Sequence, residues 1–149
     1  MPMRTLVQAQ PAVAAPQHTI TKQQTHRTTR VLLVEDEPLT AEVFARALAR
    51  DGHQVDVAKD GLQALRRLRE HLPTLVVLDM SLPAMSGADV LRDLRAAGHA
   101  DLPVIVVSGS DRNQTNLTTG ELWPGAWLSK PVKPRDLVAL VRQLTDERS

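Results

Sequence analysis

From Arg30 onward, short aliphatic runs alternate with longer amphipathic stretches. The runs VLLV (31–34), QVDVA (54–58), LVVLD (75–79), VIVVS (104–108) and AWLS (126–129) have strand length and favour β-branched residues. The stretches between them carry helical periodicity. Residues 38–50 open on Pro38, suited to a first helical turn. They set Leu39, Val43 and Ala47 beside Ala41, Phe44 and Leu48, and stop at Asp51-Gly52. Residues 62–72 place Leu62, Leu65, Leu68 and Leu72 three and four apart. Residues 87–97 do the same with Val90, Leu91 and Leu94, and residues 134–145 with Leu137, Leu140, Val141 and Leu144. The pattern is β-α repeated five times.

Continuously apolar strands joined by crossover helices predict an α/β fold, a parallel sheet covered on both faces. In such sheets ligands sit beyond the carboxyl ends of the strands. Glycines 61 and 87 read as turn residues, since neither lies in a phosphate-binding motif. His53, His71 and His99 fall beside turns without ligand spacing and are expected to be exposed and inert.

Composition narrows the functions. With 149 residues, 42% apolar and 23% charged, the chain has the size and balance of one soluble domain. It has no cysteine, which removes disulfides, thiolate catalysis and Cys-ligated metals. No apolar run approaches the ~18 residues of a membrane span. Phe44, Trp123 and Trp127 are the only aromatics, too few for a base-stacking surface, so direct nucleic-acid binding is not expected. The net charge of +1 divides unevenly: residues 1–29 carry +3 and no acid, the rest −2. Rich in Gln, Thr, Ala and Pro, residues 1–29 are expected to be a disordered extension before a domain at 30–146. Gln8, Gln10 and Pro11 interrupt what a secretory signal would need as an apolar stretch.

The predicted strand ends carry the chemistry: Glu35-Asp36-Glu37, Asp79, Ser108 and Lys130-Pro131. Carboxylates ~4 Å apart repel by roughly 4 kcal/mol per pair at an effective dielectric near 20, so a cluster of them calls for a cation or a proton. Oxygen ligands without nearby His or Cys suit a hard ion, Mg²⁺ or Mn²⁺. A lysine opposite the metal can neutralise a phosphoryl group, and an aspartate beside it can become an acyl phosphate. The plainer readings are a solvated acidic pair capping a helix, a turn aspartate at 79, a solvated Lys130, and a Ser108 that merely ends a strand.

RVLLVEDEP (30–38), AKDGLQAL (58–65), VVLDMSLPAMSG (76–87), VIVVSGS (104–110) and LSKP (128–131), in that order, resemble the receiver domain of bacterial two-component response regulators. The resemblance implies a flavodoxin-like, five-stranded parallel sheet of order 2-1-3-4-5. It implies that Asp79 is the phospho-acceptor, and that Glu35, Asp36, Asp79 and the main-chain carbonyl of Ser81 hold Mg²⁺. Ser108 would be the switch hydroxyl, Lys130 the phosphate contact with a cis bond to Pro131, and Trp127 the switch aromatic. The phosphoryl donor would be a sensor histidine kinase or a histidine phosphotransfer protein, in the cytoplasm, with a dimer through the fourth and fifth helices as an allowed assembly. The chain itself would be a phospho-acceptor supporting its own phosphorylation chemistry rather than an enzyme. A haloacid-dehalogenase phosphatase would have a second aspartate where Ser81 stands.

Two departures bear on output. Trp127 is bulkier than the Tyr, Phe or His usual at its position. The stretch 109–125, where the fourth helix belongs, has few aliphatics, predicting a short, frayed or mobile helix. Only Thr145 to Ser149 follow the last helix, so output is expected through binding another protein. The competing reading is a constitutive interaction module that keeps the fold without switching.

Overall fold

The computed structural model describes residues 29–110 and 117–146. Five strands, β1 (Arg30–Val34), β2 (Gln54–Ala58), β3 (Leu75–Asp79), β4 (Val104–Ser108) and β5 (Gly125–Ser129), pair in parallel in the order β2-β1-β3-β4-β5. Their register sets Val34 beside both Ala58 and Leu78, and Asp79 beside Val107. β3 and β4 are buried along their whole length, whereas the edge strands are half-exposed. That difference follows the composition, since only central strands with helices on both faces can be apolar throughout.

Side-chain alternation divides the core in two. Leu32, Val34, Val76, Leu78, Val104 and Val106 face α2 (Gly61–Glu70) and α3 (Gly87–Ala96). Val31, Leu33, Leu75, Val77, Ile105 and Val107 face α1 (Pro38–Arg50) and α5 (Pro134–Asp146). The helix starts are encoded locally: Glu37, Asp60 and Ser86 cap α1, α2 and α3, each accepting from a backbone N–H of the first turn. Among the described residues of the 109–125 stretch, the helix is α4 (Thr119–Leu122), a single turn. Fraying or mobility at residues 111–116 falls outside the described residues, as does the predicted disorder of residues 1–28.

Tertiary packing corrects several assignments. Of the two neighbouring faces read for α1, only Ala41, Phe44 and Leu48 are buried; Leu39 and Val43 are exposed. On α2 the buried stripe is Gly61, Ala64 and Leu68 while Leu62 is exposed, and the helix ends at Glu70, so Leu72, read into it over 62–72, lies beyond it and is exposed. A helix on an open sheet covers it with a face narrower than its full apolar arc. Thr29, assigned to the disordered extension, is placed: its hydroxyl bonds His53 Nδ1. His53 is therefore not an exposed, inert group. It lies in the α1–β2 connection with its side chain largely buried and Nε2 3.3 Å from Asp51 Oδ2. Arg142 of α5 bonds the same carboxylate and is the first cause holding Asp51 below the usual carboxylate range. His71 is exposed and His99 half-buried.

Gly61 and Gly87 are the first residues of α2 and α3 rather than turn residues. A Cβ on Gly87 would lie 2.6 Å from the Asp79 carbonyl oxygen and 2.7 Å from Met80 Cα. Glycine is required there because the end of β3 and the start of α3 touch backbone to backbone.

Between them, Ala84 has φ +67°, and Met85 N–H donates to the Pro83 carbonyl at 2.6 Å, a strained γ-turn in a residue with a side chain. Ala84→Gly is expected to stabilise the fold by about 1 kcal/mol, read as a raised midpoint in urea; a lowered midpoint would show that the turn carries no such strain.

Candidate functional site

β1 and β3 lie side by side and end level, and the carboxylates following or closing them meet. Glu35, Asp36 and Asp79 each offer one oxygen, all within 4.8 Å of one another. Glu35 is 5% and Asp79 3% exposed, while Asp36 faces solvent. Asp79 Oδ1 accepts from the Ser81 N–H at 3.0 Å and lies 3.0 Å from Lys130 Nζ. Glu35 Oε2 accepts from the Glu37 N–H at 3.0 Å. Lys130 is itself placed by the sheet: its N–H donates to the Ser108 carbonyl at 2.8 Å, and its bond to Pro131 is cis.

One lysine does not balance three carboxylates. Burial, the largest cause, and then the charge of Asp79 push the Glu35 carboxyl up to about 7, against the opposing Glu37 N–H and Lys130. An oxygen-only, under-neutralised cluster with two of its three carboxylates buried fits a hard divalent cation of the Mg²⁺ type, which would supply the missing positive charge. The surrounding cavity, about 640 Å³, reaches past Glu37 and Ser81 to Thr40, Phe44, Pro131 and Val132. Its apolar wing under α1 was not read from the sequence, because Phe44 signals only core until its neighbours are known.

The other two predicted positions lie apart from this cavity's lining. Ser108 ends β4 2% exposed, its Oγ accepting from the Ser110 N–H at 3.0 Å. Trp127 pairs with Val106 in β5, is half-buried, and packs toward the α2 and α3 side of the sheet with Leu117. Arg92 and Arg95 of α3 and Glu121 of α4, which bind one another's segments, were also missed. The Thr118-x-x-Glu121 spacing is a helix-start signature that would have found the last of them.

Residues 31–142 match the response regulator receiver domain family. Among curated relatives, the DNA-binding response regulator MtrA of Mycolicibacterium smegmatis is 38% identical over 113 residues, covering 76% of this chain and 49% of MtrA. The alkaline phosphatase synthesis transcriptional regulatory protein SphR of Synechococcus elongatus is 37% identical over 124 residues, covering 77% of this chain and 48% of SphR. The chain thus spans about half the length of these relatives. Among solved structures, the response regulator TrrA of Thermotoga maritima, in complex with Mg²⁺-BeF, superposes with a TM-score of 0.69 at 26% identity, covering 78% of this chain and 99% of that one. No helix among the described residues is long and apolar enough to cross a membrane.

Proposed function

The chain belongs to the response regulator receiver family of two-component signalling, and on that premise we propose that it accepts a phosphoryl group on Asp79 from a histidine-phosphorylated protein. The carrying observation is the buried Asp79 carboxylate with Lys130 Nζ at 3.0 Å and Glu35 and Asp36 converging on it. Glu35, Asp36, Asp79 and the Ser81 carbonyl would hold Mg²⁺, which when bound neutralises the approaching phosphoryl oxygens. An oxygen of Asp79 attacks phosphorus, the bond from phosphorus to the donor's imidazole nitrogen breaks, and Asp79 becomes an acyl phosphate. Lys130 stays opposite the metal-binding carboxylates and holds the transferred group's charge. Ser108 donates its hydroxyl to a phosphoryl oxygen. The protein's share of the reaction is positioning and charge neutralisation, so a small acyl phosphate should replace the protein donor.

A receiver-shaped module that no longer switches is disfavoured, because it has no need of a lysine and three carboxylates kept together at the cost of a raised Glu35. The setting we propose is the cytoplasm, with output through a protein target.

Incubation with acetyl phosphate and Mg²⁺ should add one hydroxylamine-labile phosphoryl group by intact mass, and chelation should prevent it. Absence of the adduct with both acetyl phosphate and phosphoramidate would overturn the assignment. Beryllofluoride with Mg²⁺ should shift the emission of Trp123 and Trp127, whose segment Ser108 and Lys130 bracket. If beryllofluoride binds calorimetrically while emission stays unchanged, the constitutive module returns.

A further inference from the structure

α4 is too short to hold its own position. Four residues do not recover the cost of nucleating a helix, and Gly120 weakens the turn further. Contacts from outside its backbone keep it in place. Its start is a closed capping box: Thr118 Oγ1 accepts from the Glu121 N–H at 3.1 Å, and Glu121 Oε2 accepts from the Thr118 N–H at 2.7 Å. The second Glu121 oxygen accepts from Arg92 Nε at 2.7 Å. The Thr118 N–H first, and then Arg92, hold this carboxyl down to about 2.

Arg95, three residues along the same face of α3, makes the larger attachment. Its half-buried guanidinium spreads over five carbonyls. Those of Glu121, Leu122 and Pro124 accept at 3.1, 3.4 and 3.2 Å, and those of His99 and Leu102 at 2.8 and 2.6 Å. The planar fork of donors suits arginine for this task, where lysine offers a point charge.

The segment held this way leads to Trp127, the proposed switch aromatic. Leu122 is 6% exposed in the core cluster that includes Val104 and Val106, and Trp127 packs against that cluster. Beyond Leu122, β5 enters so tightly that a Cβ on Gly125 would lie 2.1 Å from the Val104 carbonyl oxygen. Repacking around Trp127 therefore falls on α4 rather than on the start of β5, and α4 moves only if its hold on α3 changes.

We propose that Arg92 and Arg95 are positioning residues that latch α4 to α3 while Asp79 is a free carboxylate, so that phosphorylation works against this latch. The proposal rests on Asp79 being the phospho-acceptor. The Arg92–Glu121 pair, with side chains 44% and 28% exposed, is a weak attachment. Releasing it should change the equilibrium by about two- to fivefold, within reach of a few new phosphate contacts.

The test is calorimetric titration of the full chain with beryllofluoride at saturating Mg²⁺. Glu121→Gln keeps the capping box, because a glutamine oxygen still accepts from Thr118, but removes the charge facing Arg92. Arg92→Met keeps the aliphatic stem. Each should tighten beryllofluoride binding two- to fivefold, the double variant no more than the stronger single, with Mg²⁺ affinity in its absence unchanged. Gly120→Ala, whose Cβ would meet only Thr118 Oγ1 at 3.9 Å, strengthens the turn and should weaken binding. A purely structural role would lower thermal stability and leave these affinities alone. Unchanged or weakened binding in Glu121→Gln and Arg92→Met overturns the latch, whereas failure of the wild-type chain to bind beryllofluoride overturns the Asp79 assignment itself.

Discussion

Asp79→Asn is expected to abolish phosphoryl incorporation and, in metal-free protein at pH 8, to stabilise the fold by up to about 1 kcal/mol. The first effect follows from removing the attacking oxygen of a residue that no neighbour replaces: Glu35 is held by the Glu37 N–H, and Asp36 lies outside in solvent. The second follows from electrostatics. The Glu35 carboxyl is pushed up to about 7, so between its ordinary value near 4.5 and about 7 the folded state keeps a proton that the unfolded state has released. Stability therefore falls as pH rises through that window, and the full cost stands above it. Taking away the Asp79 charge removes one cause of the shift, while burial, the largest cause, remains. Glu35 in the variant should titrate lower than in the wild type and still above 4.5. Urea unfolding should show the variant's advantage at pH 8 and little of it at pH 5. Labelling of the variant at the wild-type rate would remove Asp79 from its role, and an advantage independent of pH would mean that carboxylate repulsion is not its source.

The same proton competes with the metal. Mg²⁺ affinity is expected to rise about tenfold between pH 6 and pH 8, as the carboxyl at about 7 gives up its proton, and to level off above. Asp36→Ala should weaken binding at least about tenfold at pH 8, because it deletes one charge and one ligand from a three-carboxylate set. It should leave the pH slope in place, since the titrating group is still present, whereas Glu35→Gln should flatten that slope. Calorimetric Mg²⁺ titrations at three pH values separate these outcomes. Equal midpoints for wild type and Asp36→Ala, or a flat wild-type profile, would remove the cluster from metal binding.

Strand identity was legible because β3 and β4 are apolar at every position apart from the closing Asp79 and Ser108, which only a doubly covered central strand can be. The gathering of polar groups at one edge of the sheet was legible for a related reason. In a parallel β-α chain each strand's carboxyl end lies on the same edge, so a polar residue ending an apolar run is already located. Glu35, Asp36, Asp79 and Lys130 were found that way. Helix faces were less legible: Leu39, Val43 and Leu62 satisfy helical spacing yet are exposed, because periodicity gives a stripe's direction but not how much of it a neighbour covers.

The alternation of elements and the set of polar residues at the carboxyl edge of the sheet can be read along the chain, because they depend on neighbours a few positions away or on the pleat alone. Tertiary packing, by contrast, is what makes Gly87 lack a side chain against the Asp79 backbone, brings His53 Nδ1 to the Thr29 hydroxyl, and lets Arg95 gather carbonyls from three segments up to 29 positions distant. Each of these depends on the separation and orientation of groups far apart in the chain. Local propensity carries no information about such distances until the sheet has set them.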